Sequence, residues 1–378
     1  MHRYLDCNAT YPQLKESLEA MTEAAMAAPG NPSSLHWAGR AARRIVDDAR
    51  DRLAAFVGTE AGSVVYTSGG TEANNIAIHS VLAASKPGQI VTTAIEHPAV
   101  LKPLERFVAA NPEWELVKVR PDATGVVSVE SLKAVIRDET RLVCMMYANN
   151  ESGAIQPVEA VAAMCRENRI PMLVDAVQML GKQALRFNDL GIDFMSISAH
   201  KIGGPKGIGA LLVRRGVKLT ELTPGGGQER GRRSGTENVP AIAGFSAALG
   251  RVDFSVCAAV RDLFERELQR RLPKAEVVAA AALRTANTSL VILPGLDGET
   301  LLMQLDLAGF AVASGSACSS GKREPSHVLL AMGASELKAR SSLRVSFGPG
   351  NGSDDAIALV EALVAADQRL KKMAGMAV

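Results

Sequence analysis

Between residues 64 and 213, short apolar runs alternate with stretches of helical periodicity, which leaves the chain few architectures. Strands are predicted at 64–67, 89–93, 115–119, 142–147, 172–175, 194–198 and 210–213. Helices are predicted from about Thr71 and near 99–109, 129–136 and 158–167. Strand–helix–strand units of this kind build a mostly parallel sheet with helices on its faces. Upstream, 12–28 reads as a helix with proline in its first turn. Residues 30–34 read as a turn whose serine or asparagine caps a second helix ending near Phe56. Downstream, a helix near 239–250 leads out of this unit. It is followed by a helix at 255–272, a strand at 289–293, a helix at 299–307, strands at 311–313 and 342–347, and a long amphipathic helix at 353–372.

The reading is an α/β protein, with a large domain over 12–250 and a smaller α+β domain over 1–11 and 251–378. A chain of 378 residues has the length for two domains. Its 42 basic and 40 acidic residues give a net charge of +2, so no bulk field draws it to nucleic acid or a membrane surface. The longest purely apolar run, 277–283, is too short to span a bilayer. The first residues lack the apolar segment of a secretion signal. The five cysteines, Cys7, Cys144, Cys165, Cys257 and Cys318, include no CxxC pair, so neither a metal site nor a disulfide framework is indicated. Free thiols fit a reducing cytoplasm.

Polar motifs fall at the predicted strand ends, where open α/β sheets bind ligands. The run 194–197 stops at Ser198-Ala199-His200-Lys201, followed by Ile202-Gly203-Gly204-Pro205-Lys206-Gly207. A lysine held there is partly desolvated, and desolvation favours the neutral amine that attacks carbonyls. Lys201 is read as a Schiff-base lysine for an aldehyde cofactor, pyridoxal 5'-phosphate (PLP); an ordinary solvated lysine is the alternative. Thr67-Ser68-Gly69-Gly70-Thr71-Glu72 opens a helix and offers free N–H groups to a phosphate, or is a plain glycine turn. Asp175 can hold a pyridine nitrogen protonated, and Gln178, one turn on, can reach a ring oxygen; a helix-capping aspartate is the plainer reading. His97 can stack on a ring. Asn150, in a turn of asparagines and glycine, can offer an amide. Residues 224–236 form a glycine-rich basic loop, read as crossing to a phosphate, with a weak nucleic-acid patch as the alternative. Arg344, on a polar–apolar alternating strand, can clamp a carboxylate. Cys318 sits among glycines and serines with Lys322 and Arg323 nearby, which favours its thiolate; an inert thiol is the alternative.

Together these motifs resemble the cysteine desulfurases of the NifS/IscS type, PLP enzymes of the class V aminotransferase group. The resemblance runs in order through TSGGTEAN from Thr67, EHPAV from Glu96, YANNESG from Tyr147, VDAVQ from Val174, SAHKIGGPKG from Ser198, GGGQERGRRSGTEN from Gly225, SGSACSSG from Ser314, EPSHVL from Glu324 and SLRVSFG from Ser342. It implies the PLP-dependent transferase fold (fold type I, aspartate aminotransferase-like), and a homodimer. It implies that Lys201 bonds the cofactor and that Gly70, Thr71, Ser198 and His200 bind its phosphate, with Thr236 supplied by the other subunit. Asp175, Gln178 and His97 would hold the ring, Asn150 and Arg344 the carboxylate of L-cysteine, and Cys318 would accept the sulfur. The persulfide would pass to an iron–sulfur scaffold or another acceptor. Tyr11 and Ser152 depart from the usual pattern, where threonine, or threonine and isoleucine respectively, are more common. Two other expectations stand beside this one: a selenocysteine lyase or another class V enzyme, and an inactive assembly scaffold.

Overall fold

The seven predicted strands form one sheet in a computed structural model that describes residues 2–314 and 324–373. They are β1 (Val64–Thr67), β2 (Gln89–Thr93), β3 (Glu115–Val119), β4 (Thr140–Met146), β5 (Met172–Asp175), β6 (Phe194–Ser198) and β7 (Gly209–Val213), in spatial order β1-β7-β6-β5-β4-β2-β3. All neighbours pair parallel except β7, which runs antiparallel to both β6 and β1. The exception follows from chain length: the short glycine-rich link from β6 to β7 has no room for a crossover helix, so the strand must return. β5, β6 and β7 are buried at every position, as apolar runs without alternation require.

Helices cover both faces. Trp37–Phe56, Val158–Glu167 and Val239–Ala248 pack on one, through residues such as Val46, Leu53, Val161 and Phe245. Gly70–Ala84 and Pro98–Ala110 pack on the other, through Ile76, Ala77, Val100 and Leu104. The first helix is Lys15–Ala27, so Pro12 lies ahead of it rather than in its first turn. The second starts at Trp37 and is capped by His36, whose ring accepts from the Gly39 N–H, not by the serine or asparagine expected. Here a histidine nitrogen does the work of a hydroxyl, satisfying one of the first-turn donors.

A second core gathers Phe254, Phe264, Leu343, Phe347, Leu359 and Leu363 with Leu5 and Cys7 from the chain start. Its sheet joins Ala313–Ser314, Ser342–Ser346, Thr288–Ile292 and Glu276–Val277 in that order, all antiparallel. Arg3–Tyr4 pairs with Phe310–Ala311, and Leu5 is completely buried. Burying one such leucine contributes about 1.5–3 kcal/mol, which holds the first residues against this core. The segment then continues toward the ends of the large sheet. Among the described residues, no helix is long and apolar enough to cross a membrane.

Candidate active site

The carboxyl ends of β1, β4, β5 and β6, and the loop after β2, converge on a cavity of about 300 Å³. Gly70, Thr71, His97, Asn150, Asp175, Gln178, Ser198, His200, Lys201 and Arg344 all line it, so one site holds ten residues that lie up to 274 positions apart (344 − 70). Thr236 is exposed and outside its wall. Cys318 lies outside the described residues.

Lys201 sits in the 3-10 turn Ala199–Ile202, closed by Gly203 at φ +79°. Its Nζ donates to the Ala9 carbonyl at 2.9 Å and to the Asn8 carbonyl. A side chain at Gly203 would meet Leu14 Cγ at 2.6 Å, so the glycine serves both the turn and the close approach. At the β1 end, a Cβ on Gly70 would lie 2.5 Å from Val177 Cγ2. The helix Gly70–Ala84 therefore begins against the turn after β5, with Gly70 and Thr71 of its first turn lining the cavity.

Asp175 ends β5. Its Oδ2 accepts from Asn74 Nδ2 at 2.8 Å and its Oδ1 from the Val177 N–H at 3.0 Å, which fixes the carboxylate plane. His97 caps Pro98–Ala110: its Nδ1 accepts from the Ala99 N–H at 3.0 Å, so the proton of the neutral ring is on Nε2. Burial pushes its pKa down, Asp175 opposes this, and Lys201 and His327 add to it. His200 is pushed down to about 4 by burial and then by Lys201 and Lys206, so it meets an anion as a neutral hydrogen-bonding ring. Arg344 is 3% exposed; it donates to the Asn150 carbonyl at 3.1 Å and to Asp6 Oδ1 at 2.8 Å. Arg344 Nε and Asn74 Oδ1 are buried with no partner among the described residues, and both residues line the cavity. Unpaired buried polar atoms are costly and mark where a polar ligand completes the network.

The basic loop is held by its own ion pairs. Glu229 takes a bidentate bond from buried Arg50 at 2.7 and 2.8 Å and accepts from the Tyr66 N–H, while Arg233 pairs with Glu72 at 2.7 Å. Holding Glu229 there requires a left-handed backbone, φ +49°, in a residue other than glycine.

Two groups escaped the sequence reading. Asn8 is 2% exposed and touches Gln178, Lys182, Lys201, Asn150, Thr288 and Ser346. Its partners lie 142 to 338 positions away, so no local spacing marked it. Glu96 is fully buried; Oε1 accepts from Thr93 Oγ1 at 2.6 Å and the Met146 N–H at 2.7 Å, and Oε2 has no partner among the described residues. Burial lifts its pKa from 4.5 to about 8, against the two hydrogen bonds. The folded state then holds a proton that the unfolded chain releases between those values, so this group lowers stability as pH rises from 4.5 to about 8. Glu96→Gln is expected to remove that dependence. Denaturant unfolding at pH 5 and pH 8 should find the variant gaining on wild type by more than about 1.4 kcal/mol across the window, the equivalent of one pKa unit; parallel curves would contradict it.

A parallel α/β sheet with a lysine, an aspartate and a glycine-opened helix at its strand ends, beside a second sheet presenting an arginine, gathers into one cavity the groups of an enzyme site. The chain belongs to the aminotransferase class-V family, whose model matches residues 3–359 and whose members depend on PLP. It is 38% identical over 353 residues to "Cysteine desulfurase IscS" of Dictyoglomus turgidum, covering 91% of this chain and 89% of that one. The fold superposes on a solved NifS-like protein with a TM-score of 0.89 at 32% identity, covering 97% and 99% of the two chains. A structure described as SspA in complex with cysteine gives a TM-score of 0.82 at 30% identity, covering 92% and 99%.

Proposed function

We propose that this chain is a PLP-dependent cysteine desulfurase that converts L-cysteine to L-alanine and captures the sulfur as a persulfide on Cys318. The observation carrying the reading is the meeting of Lys201, Asp175, His97 and Arg344 at one cavity. The resemblance to cysteine desulfurases over about nine-tenths of the chain supports the choice of substrate. The walls suit the cofactor: the close turn at Gly70 leaves helix N–H groups for a phosphate, and Asp175 keeps a carboxylate for a ring nitrogen. In this reading Gly70, Thr71, Ser198 and His200 take the phosphate, and Gln178 and His97 take the ring.

When bound, PLP supplies an aldehyde that condenses with amines and a pyridine that draws electron density from the substrate Cα. Asp175 would hold the ring nitrogen protonated. Arg344 and Asn150 orient the substrate carboxylate, with Asp6 fixing the guanidinium plane. Lys201 Nζ, as neutral amine, takes the Cα proton. The Cys318 thiolate attacks the substrate sulfur: an S–S bond forms and the Cβ–Sγ bond breaks. Its electron pair stays with Cβ, which takes a proton, and Cα regains the proton that Lys201 took, giving alanine. The persulfide then passes to an acceptor protein, an iron–sulfur scaffold or another.

Thr236, exposed and outside the cavity, fits the site of a second copy, so the reading is of a homodimer. The proposed domains are 12–250 and 1–11 with 251–378, in a cytoplasmic enzyme. The test is to supply L-cysteine to the PLP-loaded protein and follow alanine. Alanine formed in step with reducible sulfur is the expected result; pyruvate, or no product, would contradict it.

A further inference from the structure

Lys182 lies four residues past Gln178 and belongs to no motif of the proposed reaction. Its amine turns inward, donating to Asn8 Oδ1 at 2.8 Å and to Gln178 Oε1 at 3.0 Å. It also stands 5.7 Å from the centroid of the Phe254 ring. The amine donates in both contacts, so the oxygen of each amide faces it. Lys182 sets which end of the Gln178 amide points where and, together with Asn287 Nδ2, which donates to the same Asn8 oxygen at 3.1 Å, that of Asn8. Gln178 Nε2 is thereby directed to the Asn8 carbonyl at 2.9 Å, on the wall where Lys201 also donates. Asn8 Nδ2 is directed to the Asn150 carbonyl at 3.2 Å and Thr288 Oγ1 at 2.9 Å. Asn8 joins the second core, the end of β5 and the Lys201 turn, and Lys182 ties its side chain to that of Gln178.

We propose that Lys182 is a positioning residue for the cofactor: through Asn8 and Gln178 it presents the Gln178 N–H, rather than its carbonyl, to the ring. The inference rests on the reading of the cavity as a PLP site. Burial and the nearby Lys201 push the Lys182 amine down to about 7, and Arg344 adds to this while Cys7 and Cys257 oppose it.

The test compares PLP-loaded wild type, Lys182→Met, Gln178→Ala and the double variant. The readouts are the visible absorption of the bound cofactor, its dissociation constant and the melting midpoint. Lys182→Met should shift the visible band and weaken PLP binding about tenfold, the worth of one misplaced hydrogen bond. Gln178→Ala should then add less than about twofold in the Lys182→Met background, because the two act as one unit. Fully multiplicative effects, or an unchanged band and affinity in Lys182→Met, would overturn the inference. Lys182→Arg keeps a donor-only cation in place and serves should the methionine variant not fold. It is expected to retain the wild-type band, and a shifted band at an unchanged melting midpoint would also overturn the inference. Failure of wild type itself to take up PLP would instead sink the reading of the site.

Discussion

Lys201→Ala is expected to lower alanine formation from L-cysteine by about 10³-fold or more while leaving the fold intact. The loss is large because the amine has two tasks in the proposed reaction, bonding the cofactor and carrying the Cα proton, and a positioned proton carrier alone is worth about 10²–10⁴-fold. The fold survives because Lys201 Nζ rests on two backbone carbonyls, Asn8 and Ala9, and Asn8 O keeps its bond from Gln178. The 3-10 turn itself is set by Ala199, Gly203 and Gly204, not by the lysine side chain. The expected outcome is a protein that melts near wild type, holds PLP only loosely and loses it on dialysis. More than a tenth of wild-type turnover would rule out this assignment of the amine.

Cys318→Ala is the second large effect, expected to cut alanine formation by at least about 10²-fold with PLP binding unchanged. Without the thiolate, no group accepts the sulfur, and the Cβ–Sγ bond has no partner for its cleavage. The variant should still change its visible spectrum on adding L-cysteine, because binding uses Asn150 and Arg344 rather than the thiol. Full turnover in Cys318→Ala would instead favour a selenocysteine lyase or another class V chemistry. A colourless wild type would favour an inactive scaffold.

How much of this was legible in the sequence depends on the range of the interactions. The strand-end motifs stood out because an apolar run that stops at polar residues announces a carboxyl edge, and open α/β sheets bind ligands at those edges. Asp175, His97 and Lys201 were readable on that ground. Asn8 was not: its partners lie 142 to 338 residues away, and no local spacing encodes them. Lys182 was hidden for the opposite reason. Four residues from Gln178, it reads as an ordinary helix-surface lysine until the fold brings Asn8 onto it. Glu96 was seen only as a neighbour of His97, since nothing local says that a carboxyl will lose all contact with water. The reversed direction of β7 and the His36 cap were missed where geometry overrode the usual residue preferences.

The most direct measurement is borohydride reduction of the PLP-loaded protein, followed by proteolysis and mass mapping. The reduced cofactor is expected on the peptide carrying Lys201 and on no other lysine. Label on Lys182 or Lys206, or a protein that takes up no label, would contradict the account.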